Sequence, residues 1–137
     1  VEEFSKGSGK RPQLIAVTIL TSHSQETVSQ ELGIRRKIQN EVLHLAGTAR
    51  KAGLDGIVCS PKETAMIRKK FGNDFLIVTP GVRPPGSSRG DQKRIETPMK
   101  AIRAGSDYLV VGRPITQASD PKQAALAIFE SISNIKS

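Results

Sequence analysis

The feature that most constrains the fold is a fourfold recurrence of short, β-branched apolar runs. Leu14-Ile15-Ala16-Val17-Thr18-Ile19-Leu20 is followed by polar Thr21-Ser22-His23-Ser24, and Leu54-Asp55-Gly56-Ile57-Val58-Cys59 by Ser60-Pro61. Phe75-Leu76-Ile77-Val78-Thr79 ends at Pro80-Gly81, and Tyr108-Leu109-Val110-Val111 at Gly112-Arg113-Pro114. Near-continuous runs of this length suit strands buried on both faces, as in parallel sheets.

Helical signals separate the runs. Ile38, Val42, Leu45 and Ala49 recur at spacings of three and four and predict a helix over 36–52, stopped by Gly53. Ser60-Pro61-Lys62-Glu63 reads as an N-cap, a proline at the first helical position and a capping-box Glu63, opening a helix that runs to about Phe71 before Gly72. Thr97-Pro98 opens a short helix through Ala104, closed by Gly105. Asp120-Pro121 opens the last, with Ala124, Ala125, Ile128 and Ile132 as its apolar stripe. The order β-α-β-α-β-α-β-α implies parallel strands joined by right-handed crossovers.

Four such units make half of a (β/α)8 TIM barrel, whose usual length is about 250 residues. The fold expected is therefore α/β, a half-barrel over 12–137. Residues 1–11, rich in Lys, Gly and Ser, read as a helix tail and linker, and the initial Val in place of Met suggests a missing upstream part. An isolated half would leave open edges at Leu14–Leu20 and Tyr108–Val111, which a missing half or a partner should cover.

Composition narrows the function classes. A net charge of +8, from 21 basic and 13 acidic residues, invites a polyanion partner. Aromatics are only 4% and are not interleaved with the basic residues for base stacking, which argues against nucleic acid. A positive site for a phosphorylated metabolite is better supported, and much of the charge reads as solvated surface. No apolar run approaches the roughly 20 residues of a membrane helix, and no signal peptide is visible. The single cysteine, Cys59, rules out an internal disulfide and fits a reducing cytoplasm.

The chemistry sits where the runs end. In α/β barrels the loops after the strands do the work, and phosphate commonly sits in the loops after strands 7 and 8. The fourth run ends in Gly112-Arg113: glycine lets a backbone N–H approach a phosphate, and Arg113 offers a planar fork for its oxygens. The third opens a polar loop from Pro84 to Arg94 that reads as a closing lid.

The chain resembles bacterial orotidine 5'-phosphate decarboxylases over essentially its whole length. The resemblance is carried by Ile15–Ser22, Gly53–Ser60, Val78–Pro84, Gly90-Asp91-Gln92-Lys93-Arg94, Thr97-Pro98 and Gly105–Thr116. It identifies the four units as the C-terminal half of the barrel. It implies conversion of orotidine monophosphate to uridine monophosphate without metal or organic cofactor, by an enzyme that is a cytoplasmic homodimer when complete. It implies that Thr21 contacts the pyrimidine, that Gln92 reaches from the lid to the phosphate and base, and that Gly112 and Arg113 hold the phosphate. It further implies Arg83 as a substrate contact and Pro80 as part of the wall around the base. One departure outweighs these matches: the family's catalytic Asp-x-Lys-x-x-Asp stretch has no counterpart here. Asp91-Gln92-Lys93-Arg94-Ile95-Glu96 only looks like it and reads as lid and helix approach. No catalytic residue is therefore expected in this chain, and the missing N-terminal half should supply them.

Two other functions compete: a sugar-phosphate decarboxylase or aldolase on a related barrel, and a nucleotide-phosphate-binding half-barrel without turnover. Lys6-Gly7-Ser8-Gly9-Lys10-Arg11 superficially resembles a P-loop, but it lacks the spacing and precedes a strand, so linker is the better reading. His23 and His44 have no metal-ligand companions, and Cys59 reads as a small core residue. Asp55 and Asp107 fall at strand starts, the barrel face tied to stability. Ser22 and Ser60 suit hydrogen bonding better than attack.

Overall fold

A computed structural model of the chain describes residues 11–85 and 94–133. Four strands, β1 (Ile15–Val17), β2 (Gly56–Val58), β3 (Leu76–Thr79) and β4 (Tyr108–Leu109), form one sheet in sequential order, every pair parallel. The helices are α1 (Gln25–Gln30), α2 (Ile38–Lys51), α3 (Pro61–Phe71), α4 (Pro98–Arg103), α5 (Arg113–Thr116) and α6 (Pro121–Ser133). The β-α alternation thus stands, with two short helices, α1 and α5, added in the loops after β1 and β4.

Cap chemistry sets the helix starts. Ser24, Ser60 and Thr97 accept from the backbone N–H of Thr27, Lys62 and Lys100, and Asp120 accepts from Gln123. Helix α2 has no side-chain cap of its own; Gln25 of α1 accepts from Ile38 N–H at 2.8 Å instead. The positive φ of Gly72 at the end of α3, 76°, is a conformation that L residues rarely adopt. Glu63 departs from expectation. Its carboxylate does not cap α3: Oε1 accepts from Arg94, and Oε2 has no hydrogen-bond partner among the described residues.

Register fixes which residues face which layer. Ala16, Ile57 and Ile77 share one row of the sheet, pointing to the helices. Ile57, Ile77, Phe75, Val42, Ala46 and Ile67 are fully buried there, with Cys59 beside them. On α2 the buried stripe is Ile38, Val42, Ala46 and Ala49, with Leu45 only half-buried. The opposite row, Val17–Val58–Val78–Tyr108, has no helix over it among the described residues. Val17 is 60% exposed and Tyr108 57%, so the runs are buried on one face only.

At the end where the strands begin, two aspartates lock the register. Asp55 accepts from Leu14 N–H at 2.7 Å and pairs with Arg11. That N–H, then Arg11, holds its carboxyl below the ordinary range. Asp107 accepts from Ile77 N–H at 2.8 Å and from Arg68 at 2.6 Å. Arg68 also donates to the carbonyls of Gly72, Phe75 and Gly105, tying α3 to the starts of β3 and β4. Both aspartates therefore do the stabilising work expected of that face.

Candidate active site

Because all four strands run parallel, their C-terminal ends lie along one edge of the sheet. Thr21 follows β1, Ser60 follows β2, Pro80 through Arg83 follow β3, and Gly112-Arg113 follow β4. Five of the six residues expected to bind substrate thus sit on that edge. The sixth, Gln92, lies outside the described residues, as do the lid segment 86–93 and the Lys- and Gly-rich stretch 1–10.

Each of the five has a distinct setting. Thr21 is buried in a turn, 5% exposed, and its carbonyl accepts from Arg94 N–H at 3.3 Å. Pro80 is half-buried before Gly81, whose φ is 76°. That glycine turns the chain out of β3 and into the Val82↔Glu96 bridge. Arg83 is 8% exposed; its Nη1 donates to Val82 O at 2.9 Å and its N–H to Glu96 O at 2.9 Å. Gly112 caps α5 at φ −103°, ψ −101°, and nothing lies within 4 Å of where a Cβ would stand. Its carbonyl accepts from the N–H groups of Ile115 and Thr116. Arg113, the first residue of α5, is exposed.

One part of this edge was misjudged from sequence. Arg94 reads as the last residue of a polar closing lid; it is 7% exposed. Its Nη1 donates to Glu63 Oε1 at 2.7 Å, and its Nη2 to the carbonyls of Ile19 and Leu20 at 3.0 and 2.9 Å. Ser60 Oγ donates to Arg94 O at 3.2 Å while accepting from Lys62 N–H. The segment leaving β1 and the helix that follows β2 therefore meet on one guanidinium. The buried carboxylate of Glu63 carried no signal of this pairing, because Ser60 and Glu63 also satisfy the capping-box spacing.

The remaining candidates are quiet. Cys59 is 1% exposed, and burial pushes its thiol up to about 12. His23 is half-buried, with its N–H donating to Leu20 O, and His44 is exposed. Among the described residues no group of three or more His, Cys, Asp or Glu is placed to hold a metal ion, and no helix is long and apolar enough to cross a membrane.

Parallel strands in sequential order, with helices over one face, define part of a (β/α) barrel. Residues 1–128 match the model of the orotidine 5'-phosphate decarboxylase / HUMPS family. The chain belongs to that family. It is 51% identical over 135 residues to the orotidine 5'-phosphate decarboxylase of Moorella thermoacetica, covering 98% of this chain and 54% of that one. Over 124 residues it is 54% identical to the enzyme of that name from Geobacter metallireducens, covering 90% and 52%. Among solved structures, orotidine 5'-phosphate decarboxylase from Lactobacillus acidophilus superposes with a TM-score of 0.74 at 43% identity, covering 89% of this chain and 50% of that one. The chain spans about half the length of the curated relatives it matches.

Proposed function

We propose that this chain is the C-terminal half of an orotidine 5'-phosphate decarboxylase and supplies the phosphate and pyrimidine grips of its active site. The observation that carries the reading is the convergence of Thr21, Pro80, Arg83, Gly112 and Arg113 on one sheet edge in a chain of this family. Arg113 offers two parallel N–H donors to a phosphate, with the backbone at Gly112 open to close approach. Thr21 meets the base, Pro80 walls it, Arg83 lines the same loop, and Gln92 bridges base and phosphate. Holding the phosphate far from the reacting carbon still serves rate, because remote binding energy organises the transition state.

The decarboxylation itself belongs to the other half. Its Lys/Asp array disfavours the substrate carboxylate and delivers a proton to the carbanion; no side chain in this half takes that role. The N-terminal half covers the exposed row from Val17 to Tyr108. The complete enzyme works as a cytoplasmic homodimer and needs neither metal nor organic cofactor; the inert, buried Cys59 suits a reducing compartment.

Titration of the complete enzyme with uridine monophosphate and with ribose 5-phosphate tests the reading. A nucleotide site binds uridine monophosphate the more tightly. Equal affinity, or a preference for the sugar phosphate, points to a sugar-phosphate decarboxylase or aldolase instead.

A further inference from the structure

Arg94 is built into the edge of the sheet in a way that stability alone does not explain. Its guanidinium and backbone N–H hold three consecutive carbonyls, those of Ile19, Leu20 and Thr21. Its counter-charge, Glu63, is 2% exposed on α3, and Ser60 at the cap of the same helix donates to the Arg94 carbonyl. An ion pair buried this deeply is a poor source of stability compared with apolar residues of similar volume. This one even leaves Arg94 Nε and Glu63 Oε2 without hydrogen-bond partners among the described residues. What the pair does provide is geometry: a planar fork has two arms in fixed relation, one on α3 and one on the segment leaving β1.

We propose that Arg94 is a positioning residue for pyrimidine recognition. It references the Ile19–Thr21 segment to the rigid start of α3, so that Thr21 is presented to the base at a fixed height and angle. Small misplacements of such a group are costly in a preorganised site. This rests on the reading of Thr21 as the base contact and of Gly112-Arg113 as the phosphate grip. Among the described residues, the hydrogen bonds of Arg94 run to Ile19, Leu20, Thr21, Ser60 and Glu63, so the proposal ties Arg94 to the base grip rather than the phosphate grip.

The test is a double-mutant cycle in the complete enzyme, with uridine monophosphate and ribose 5-phosphate as probes. Arg94→Met should weaken uridine monophosphate by about tenfold or more, the scale of losing a charge-assisted contact. Ribose 5-phosphate affinity should stay within about twofold, as for independent sites. In a Thr21→Val background the same Arg94 substitution should cost much less, because its effect passes through Thr21. Arg94→Lys keeps the charge opposite Glu63 but loses the second arm. It should reproduce the loss of uridine monophosphate with a melting temperature near that of the parent, which keeps the test readable where Arg94→Met folds poorly. Equal losses on both probes, or additive costs of the Arg94 and Thr21 substitutions, overturn the proposal. Failure of the unsubstituted enzyme to prefer uridine monophosphate removes the functional reading itself, a result visible before any variant is made.

Discussion

Gly56 lies on the inner row of the sheet, paired with Ile15 on one side and Leu76 on the other. A Cβ there would stand 2.3 Å from Leu76 O and 2.5 Å from Leu76 Cβ, so strands β2 and β3 approach only because the side chain is missing. Gly56→Ala should lower stability by about 1–3 kcal/mol, the range for overpacking a fitted site, as read by urea unfolding. A variant as stable as the parent would mean that the sheet relaxes freely there. Cys59 gives a second residue-scale expectation. Burial, the largest cause, raises the thiol from an ordinary value of 9.0 to about 12. The native thiol should resist iodoacetamide at pH 8 and react once the chain is unfolded. The sign of the linkage follows: the folded state holds this proton more tightly, so its contribution to stability is whole below pH 9.0 and is lost as pH rises toward about 12. Of these residues, the burial of Cys59 was legible from its apolar run. The role of Gly56 was not, because a close approach depends on which strand comes alongside.

At the scale of elements, the runs and caps located every strand and four of the six helices among the described residues. The strands proved shorter than the apolar runs: β1 covers Ile15–Val17 of Leu14–Leu20, because ladder pairing ends before the apolar sequence does. Helices α1 and α5 were missed because six- and four-residue helices carry too few positions for a 3.6-residue period. The misreading of Glu63 was of another kind. Ser-x-x-Glu satisfies the capping box locally, and only the tertiary fold brings Arg94 to it. Glu63→Ala would strand a buried guanidinium, so an unfolding cost of about 3–5 kcal/mol is expected from denaturant titration. A cost under 1 kcal/mol, roughly that of an exposed pair, would mean that water reaches Arg94.

At the scale of the whole molecule, the fold class was readable, and so was the placing of five of the six expected site residues at strand ends, because strand-end loops of a barrel are ordered by the chain itself. Gln92 and the rest of 86–93 fall outside the described residues, so that share of the site rests on the family resemblance. Arg113 provides the prediction for the phosphate grip. Arg113→Ala in the complete enzyme should weaken uridine monophosphate by about 1.5–3 kcal/mol, ten- to hundred-fold. Unchanged affinity by calorimetry would place the grip elsewhere. The inner face carries the other consequence. Ile15, Val17, Tyr108 and Val110 are each 41–60% exposed. Covering them is worth on the order of 5 kcal/mol, comparable with the net stability of a small domain. A second half-barrel therefore has a substantial apolar surface to close on, besides the open edges of β1 and β4.

The central claim is a division of labour between substrate holding here and chemistry in the other half. Release of uridine monophosphate from orotidine monophosphate measures it directly, using purified residues 1–137 alone, a separately produced N-terminal half-barrel alone, and the two mixed. The account predicts turnover from the mixture and none from residues 1–137. Uridine monophosphate formed by residues 1–137 alone, free of contaminating enzyme, would contradict it and turn the search for a catalytic group to Asp91, Lys93 and Glu96.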